Sequence, residues 1–502
     1  MLAAIAAVLI VPLALSAHVN SPDVYFDGHA GPYHLLVTVI PPKVVPGIAQ
    51  IVIRSADPGV DEIRILPLRM VGVASKLAPT SDPATRSATD PQLYTGQLWI
   101  MARGSWKVQI DVQGKQGAGR LEVPLPAVST GSANMKLAMG ILLAVLGLLL
   151  SAGLVGIIGA ANREADLQPG EQPAPAQKRR SLVIMAIAAA LVVFVLAAAN
   201  AWWKSEAQIN ARLNYRIPKL QVTLSGGRLH LQLENPNATE IGRFGTVPPD
   251  RIVLGDLIED HGHLMHLFLV STPDMRSFWH LHPAQTGEGQ FEVTLPAMQA
   301  GKYQIFADIV HSTGFPETQV GTLQVPASAL GDKTPPAAGS SSMSIAWSSG
   351  DDSGITGAVA SDESATLSGG AFMNWPDYMK PLKAQEASWF RFRVQDRDGK
   401  PATDLEPYMG MAAHAVFMSN DGRIFAHVHP AGSVSMAAVS IASDLPGPSG
   451  PAHAAMPGMQ HEAPSAEVSF PYGFPQPGDY HIFVQVKRAG TVETGVFKAH
   501  VQ

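Results

Sequence analysis

The sequence predicts a mainly β protein: three β-sandwich domains plus a two-helix transmembrane hairpin. Three observations predict it. Short β-rich runs broken by Pro, Gly and Asp fill both ends of the 502-residue chain, the pattern of sandwich strands. Two long apolar stretches lie between them. Charged residues make up 15% of the sequence and hydrophobic ones 46%, against the roughly 25% charged residues of ordinary soluble domains, so part of the chain belongs in lipid.

The elements follow in order. The opening MLAAIAAVLIVPLALSA, residues 1–17, is an apolar run ending in small residues, which predicts a secretory signal cut after Ser16 or Ala17. Residues 18–127 (HLLVTV, AQIVIRS, EIRILPL, SWKVQIDV, GRLEVPL) predict the first sandwich. Residues 137–161 run without a charge, long enough to cross a bilayer. A second span over 181–203 ends in Trp202 and Trp203, which suit the membrane interface. The intervening loop, 162–180, carries Arg163, Lys178, Arg179 and Arg180, whereas the outer flanks carry only Lys136 and Lys204 near the helix ends. The positive-inside rule therefore places the loop in the cytoplasm and both terminal portions on the extracytoplasmic (periplasmic) side. A second sandwich is expected over 204–328, a Pro/Gly/Ala/Ser linker over 329–346, and a third sandwich over 347–502, with a Met/His-rich loop at 435–465.

The second and third sandwiches are copies of each other, with a period of roughly 150 residues. Gly262-His263-Leu264-Met265-His266 aligns with Gly410-Met411-Ala412-Ala413-His414, and His280-Leu281-His282-Pro283 aligns with His427-Val428-His429-Pro430. One copy tests the other. A histidine before the turn and His-x-His-Pro after it persist, while Met265, His261 and His311 do not. His261 and His263 are replaced by Met409 and Met411, another pair of metal-competent side chains.

In a strand, residues i and i+2 share a face, so His280 with His282, and His427 with His429, form pairs about 7 Å apart. His266 and His414 lie on the neighbouring strands, where cross-strand side chains approach to about 5 Å. Each copy is thus expected to bring three imidazoles together at a strand rim beside Pro283 or Pro430, with a coordination position open. The candidate metal ligands are His266, His280 and His282 in one copy, His414, His427 and His429 in the other, and His263, Met409 and Met411 beside them. No cysteine is present, which excludes thiolate zinc sites, iron–sulfur clusters, disulfides and cysteine nucleophiles. A His/Met set without thiolates points to a copper ion before zinc. The loop PAHAAMPGMQHE adds His453, Met456, Met459 and His461, composed like an arm that passes on a soft ion. Histidines at strand ends also fix corners by hydrogen bonding main-chain carbonyls, and duplication would copy such a corner as well. His230, His481 and His500 stand in strands without partners and are expected to be structural.

The segments GPYHLLVTVIPPKVVPGIAQIVIR and TGQLWIMARGSWKVQIDVQG resemble the YtkA-like domains of bacterial envelopes, immunoglobulin-like sandwiches related to the copper-binding CopC fold. The pattern HLMHLFLVS…FWHLHP…GKYQIFADIV resembles a second envelope domain that occurs alongside heavy-metal transport components. The resemblance implies three immunoglobulin-like sandwiches, copper binding, and a metal transporter or metalloenzyme as partner. With cleavage after Ala17 it also implies that His18, as the new N-terminus, chelates copper through its amine and imidazole.

The net charge of -6 and the absence of a basic stripe exclude a nucleic-acid footprint. No nucleophile elbow, Walker loop, HExxH or dinucleotide fingerprint occurs, so no catalytic function is expected. The sequence therefore predicts a membrane-anchored envelope protein that binds and buffers or delivers a metal ion. The alternative is a non-catalytic assembly scaffold whose His-x-His-Pro corners are purely structural.

Overall fold

The computed structural model describes residues 23–71, 78–131, 135–168, 170–212, 214–235, 254–326, 344–443 and 465–502. The expected signal segment, His18, most of the linker, and His453, Met456, Met459 and His461 lie outside the described residues. The chain divides into two compact units: the β portions, up to Val128 and from Arg216 to Gln502, and the helical portion Ser129–Tyr215. The β portions hold six antiparallel sheets that make three two-sheet sandwiches.

In the first sandwich, the strands Val24–Ala30, Tyr33–Ile40, Gly47–Ser55 and Leu93–Ile100 form one sheet, edged by the short Thr85–Arg86. Val60–Arg69, Gly104–Gly114 and Gly117–Ala127 form the facing one, with Asp82–Pro83 at its edge. Alternate residues of the two sheets (Leu35, Val37, Val39; Ile63, Ile65; Val108, Ile110, Val112) make the core.

The helical unit contains α1 (Leu137–Glu164) and α2 (Pro175–Arg212), both long and apolar enough to cross a membrane. They pack where Gly159 lets Met185 approach, and the Ser181 hydroxyl donates to the Gly159 carbonyl at 2.7 Å. Both helices outrun the expected spans. Lys178, Arg179 and Arg180, placed in the loop from sequence, lie in the first turns of α2, because Pro175 pre-sets the first helical turn and the residues after it are good helix formers. Beyond Trp203, α2 continues as far as Arg212.

In copy 1, the sheet that matters for function is built on His266–Thr272, Phe278–Leu281, Gly301–His311 and Pro316–Val325. Copy 2 repeats it with His414–Ser419, Phe425–Val428, Gly478–Arg488 and Thr491–Val501. One element departs from the sequence expectation. The hairpin Ile345–Ser349 and Asp352–Thr356, expected at the linker's end and the start of the third sandwich, joins the sheet of copy 1 and pairs Trp279 with Gly354. A Cβ at Gly354 would run into the Trp279 ring, so glycine lets this strand lie close. The sheets of copy 2 begin at Ser364.

The strands His266–Thr272, Phe278–Leu281, His414–Ser419 and Phe425–Val428 are buried on both faces, which explains why HLFLV shows no polar alternation. Leu267 and Leu269 enter the core of their own sandwich, whereas Phe268 and Val270 pack against copy 2. The contact between copies is reciprocal. Phe278 stacks on Phe483 at 4.4 Å, and the equivalent pair, Phe425 with Phe306, stacks at 4.1 Å. A pseudo-two-fold relation thus joins the copies, as in an isologous dimer interface.

At the far end of this sheet, buried His311 donates from Nδ1 to Asp256 at 2.7 Å, and its Nε2 lies 3.9 Å from Glu317. Burial opposes its charge, but the two carboxylates prevail and raise its pKa from 6.5 to about 9. Its stabilising contribution is therefore complete below pH 6.5, declines from there, and is gone above about pH 9. Thermal unfolding of the full chain in micelles should show His311→Gln less stable than the parent by a few kcal/mol at pH 6, with the gap narrowing by pH 10.

Candidate metal centre

The centre starts from two matched turns. Asp260 and His263 exchange main-chain hydrogen bonds of 2.9 and 3.1 Å, and Tyr408 and Met411 do the same at 2.7 and 3.0 Å. Both turns need two consecutive left-handed residues: His261 (φ 54) and Gly262 (φ 83), and Met409 (φ 50) and Gly410 (φ 78). Such turns favour Gly and Asn, so a histidine held there carries strain of the kind that clusters at functional sites.

Three imidazoles meet in copy 1. His266 Nδ1 lies 3.0 Å from His280 Nε2 and 3.2 Å from His282 Nε2. Their other nitrogens all face acceptors. His266 Nε2 donates to the Asp260 carbonyl (3.0 Å), His280 Nδ1 to Gln485 Oε1 (2.9 Å), and His282 Nδ1 to the Asp352 carboxylate (2.9 Å). The Gln485 amide is itself oriented by donating Nε2–H to Ser353 Oγ at 2.6 Å. These acceptors fix each ring's tautomer, so the three inward nitrogens present lone pairs with no proton to share. An ion about 2.0–2.1 Å from each nitrogen in tetrahedral geometry holds the nitrogens roughly 3.3 Å apart, close to the observed spacing.

The second triad differs from the one expected. His414 and His429 are joined by His261 from the other copy, with one nitrogen of each ring within 4.8 Å of the others. His261 donates Nδ1–H to the Met409 carbonyl and His429 donates to the Val434 carbonyl, both at 3.1 Å. His429 Nε2 and both nitrogens of His414 are buried without a hydrogen-bond partner among the described residues. Burying such a group uncompensated costs about 1–3 kcal/mol. The first sandwich buttresses this side: Asp27 N–H donates to the Ala431 carbonyl and Ser433 N–H to the Tyr25 carbonyl, holding the segment that ends at Val434.

His427, expected in the second triad, lies between the two. Its ring is 5.4 Å from His266 and 5.5 Å from His414, and its Nδ1 is 3.5 Å from the Asp308 carboxylate. His414 pairs in register with Gln485 as His266 pairs with Asp308. The contacts His280–Gln485 and His427–Asp308 are therefore related by the same pseudo-symmetry. His263 stacks on His282 at 3.9 Å, its Nε2 3.3 Å from Asp351, and so covers the first triad from outside.

Other sequence expectations are corrected. The centre is not an open rim: His266, His280, His414 and His429 are almost fully buried, because each sheet covers the other's outer face. The two sites are not separate, since the copies pack together. Met411 is buried in the apolar core with Val434, Met436 and Val439, because its turn directs it there. Met409 contributes its main-chain carbonyl. The expected Met/His loop begins as a short helix, α3 (Met436–Ala442), capped by Ser435 and by Asp260, whose carboxylate accepts Ala437 N–H at 2.8 Å. His230, His481 and His500 hydrogen-bond Glu292, Asn420 and Asp479.

Burial keeps the cluster neutral. It lowers His266 to about 3 and His429 to about 4, and holds His280, His282, His414 and His427 well below the usual range, with neighbouring rings adding to the effect in all six. Neutral imidazole is the ligand form. Asp308 is raised to about 7, also by burial. A cavity of about 40 Å³ lined by Asp260, Asp308, Glu317 and His266, His427 and His429 adjoins the rings, room enough for a water or an ion. Gln485 and Asp352 escaped sequence reasoning, and His261, metal-competent in the sequence, was not placed among the ligands. The Asp-His-Gly-His turn was the one signal for His261; no spacing marks the other two.

Gln485 reaches His280 from the other copy, which yields a direct test of the assembly. Gln485→Leu should weaken metal binding by about 10–100-fold, the usual cost of removing a partner that orients a ligand. Calorimetric titration of the full chain checks it.

Fold and site together define a class: tandem β-sandwiches with a buried polyhistidine centre, carried on a chain with two apolar helices. A family model described as a domain of unknown function (DUF8832) matches residues 217–326 and 374–502, the stretches that carry the repeat. No curated protein matches. Among solved structures, CopC from Methylosinus trichosporium OB3b is 19% identical, covers 22% of this chain and 99% of its own, and has a TM-score of 0.14. A tetra-tandem repeat from the extending region of a large adhesion protein is 9% identical over 92% of this chain and 97% of its own, with a TM-score of 0.16. The native form of E. coli alpha-2-macroglobulin is 11% identical over 97% of this chain and 23% of its own, with a TM-score of 0.21. Scores this low define neither fold nor chemistry for the chain.

Proposed function

We propose that the protein is a membrane-anchored envelope protein that binds a borderline divalent ion, copper foremost, and buffers it or passes it to a transporter or metalloenzyme. The observation that carries this reading is the convergence of three imidazole nitrogens at 3.0 and 3.2 Å while every outward nitrogen donates to a fixed acceptor. Rings that served only as corners would gain nothing from directing their lone pairs at one another. All-imidazole ligation suits Cu²⁺, Zn²⁺ and Ni²⁺, and the Irving–Williams order puts Cu²⁺ first. The role is binding, without catalysis.

The helices α1 and α2 anchor the chain in the bilayer, and the basic residues around their connection favour a cytoplasmic loop with the sandwiches on the extracytoplasmic side. The scaffold reading draws on the main-chain hydrogen bonds of His261, His266 and His429. It leaves the inward nitrogens of the first triad unexplained. The test is calorimetric titration of Cu²⁺ and Zn²⁺ into the metal-stripped full chain in micelles. Saturable binding is expected in the parent and undiminished in a surface control, His230→Ala, and lost in His280→Ala. Absence of saturable binding overturns the proposal.

A further inference from the structure

We infer that the two triads form one coupled two-ion centre built across the repeat, with His427 placed between the ions as a ligand available to either. The inference deepens the metal-binding reading and rests on it. Within the triads the rings are 4.6–5.3 Å apart (His280–His282 and His266–His280 at the extremes), whereas between them His261 and His266 are only 6.1 Å apart and His280 and His414 6.4 Å. No layer of apolar side chains separates two sets of rings at such distances, so an ion in one triad lies in the field of an ion in the other.

His427 joins the sets. Its ring lies 5.4 and 5.7 Å from His266 and His280, and 5.5 and 4.5 Å from His414 and His429. Its Nε2 is buried with no hydrogen-bond partner among the described residues, a position that costs free energy unless something binds there. Its pseudo-symmetric counterpart, His280, is committed to the first triad, and His261 has taken the corresponding place in the second. His427 is left over as a ligand.

The surrounding charge fits more than one cation. The carboxylates of Asp308, Asp351 and Asp352 lie 3.5, 3.3 and 2.9 Å from ring nitrogens of His427, His263 and His282. Asp260 and Asp308 both line the cavity: Asp260, 5% exposed, accepts Ala437 N–H, and Asp308 takes, among the described residues, a hydroxyl from Thr318 besides its contact with His427. Buried carboxylates facing neutral rings are compensated by bound cations. Repulsion between two ions in a low-dielectric site makes the second bind more weakly than the first.

The experiment is titration of Cu²⁺ into the metal-stripped full chain in micelles, followed by calorimetry and by electron paramagnetic resonance. The expected result is two equivalents in two steps, with dipolar coupling between Cu²⁺ ions appearing in the second. His261→Asn, which suits the left-handed backbone there, and separately His282→Gln should each reduce binding to one equivalent with an uncoupled spectrum. His427→Gln should keep both equivalents and change the coupled spectrum. A single equivalent untouched by His261→Asn, or two equivalents without coupling, would overturn the two-ion centre while leaving metal binding intact. No binding at all would overturn both.

Discussion

Replacing His266 by alanine should lower the affinity for Cu²⁺ by more than about 100-fold, a larger loss than removal of an orienting partner produces. His266 Nδ1 is the hub of the first triad, within 3.0 and 3.2 Å of the other two inward nitrogens. Without it, a three-ligand set becomes a pair. The same change removes the imidazole donor of the Asp260 carbonyl, which keeps His263 N–H, a loss of about 0.5–1.5 kcal/mol in stability. Calorimetric titration reads the first effect and thermal unfolding without metal reads the second. An affinity that survives in folded His266→Ala protein would remove His266 from the centre.

Phe483→Ala should destabilise the β portions by about 3–5 kcal/mol, the range for truncating a buried aromatic. Phe483 is wholly buried and stacked on Phe278 at 4.4 Å, one of two reciprocal pairs that hold the copies together. Since the same packing brings Gln485 to His280 and His261 to His414, metal affinity should fall along with stability. Trp99→Ala, at a side chain 59% exposed, should change stability by less than about 0.5 kcal/mol. Denaturant unfolding of the full chain distinguishes the two, and equal effects would show that the copies do not depend on each other.

Much of this was legible in the sequence because local chemistry wrote it there. The i, i+2 spacing of His280 and His282 fixed their shared face, and the preceding strand set His266 opposite them. The duplicated motif marked which histidines belong together in kind. Its limit is that a repeat reports what each copy contains, never which surfaces the copies turn to each other. The all-apolar run Leu267–Val270 held the missing clue, since a strand with no polar face must be covered twice. Taken seriously, it would have predicted burial and a contact between copies, and with them a shared centre. The exchange of His427 for His261 could not be read so, because it depends on how two sheets meet. Met411 misled for a related reason: thioether is both a soft ligand and good core filler, and only its surroundings decide between the two.

Both halves of the centre are carried by one polypeptide: the last hairpin of the copy 1 sheet, Ile345–Ser349 with Asp352–Thr356, is followed a few residues on by the first strand of copy 2 at Ser364. A pair of separate subunits with the same contacts would fall apart on dilution, and its sites with it. Tethering replaces the bulk concentration of a partner by a fixed local one, on the order of millimolar for short connections. Assembly of the proposed centre in each molecule is thus independent of how many copies the cell makes, so even a scarce protein arrives with its histidines brought together.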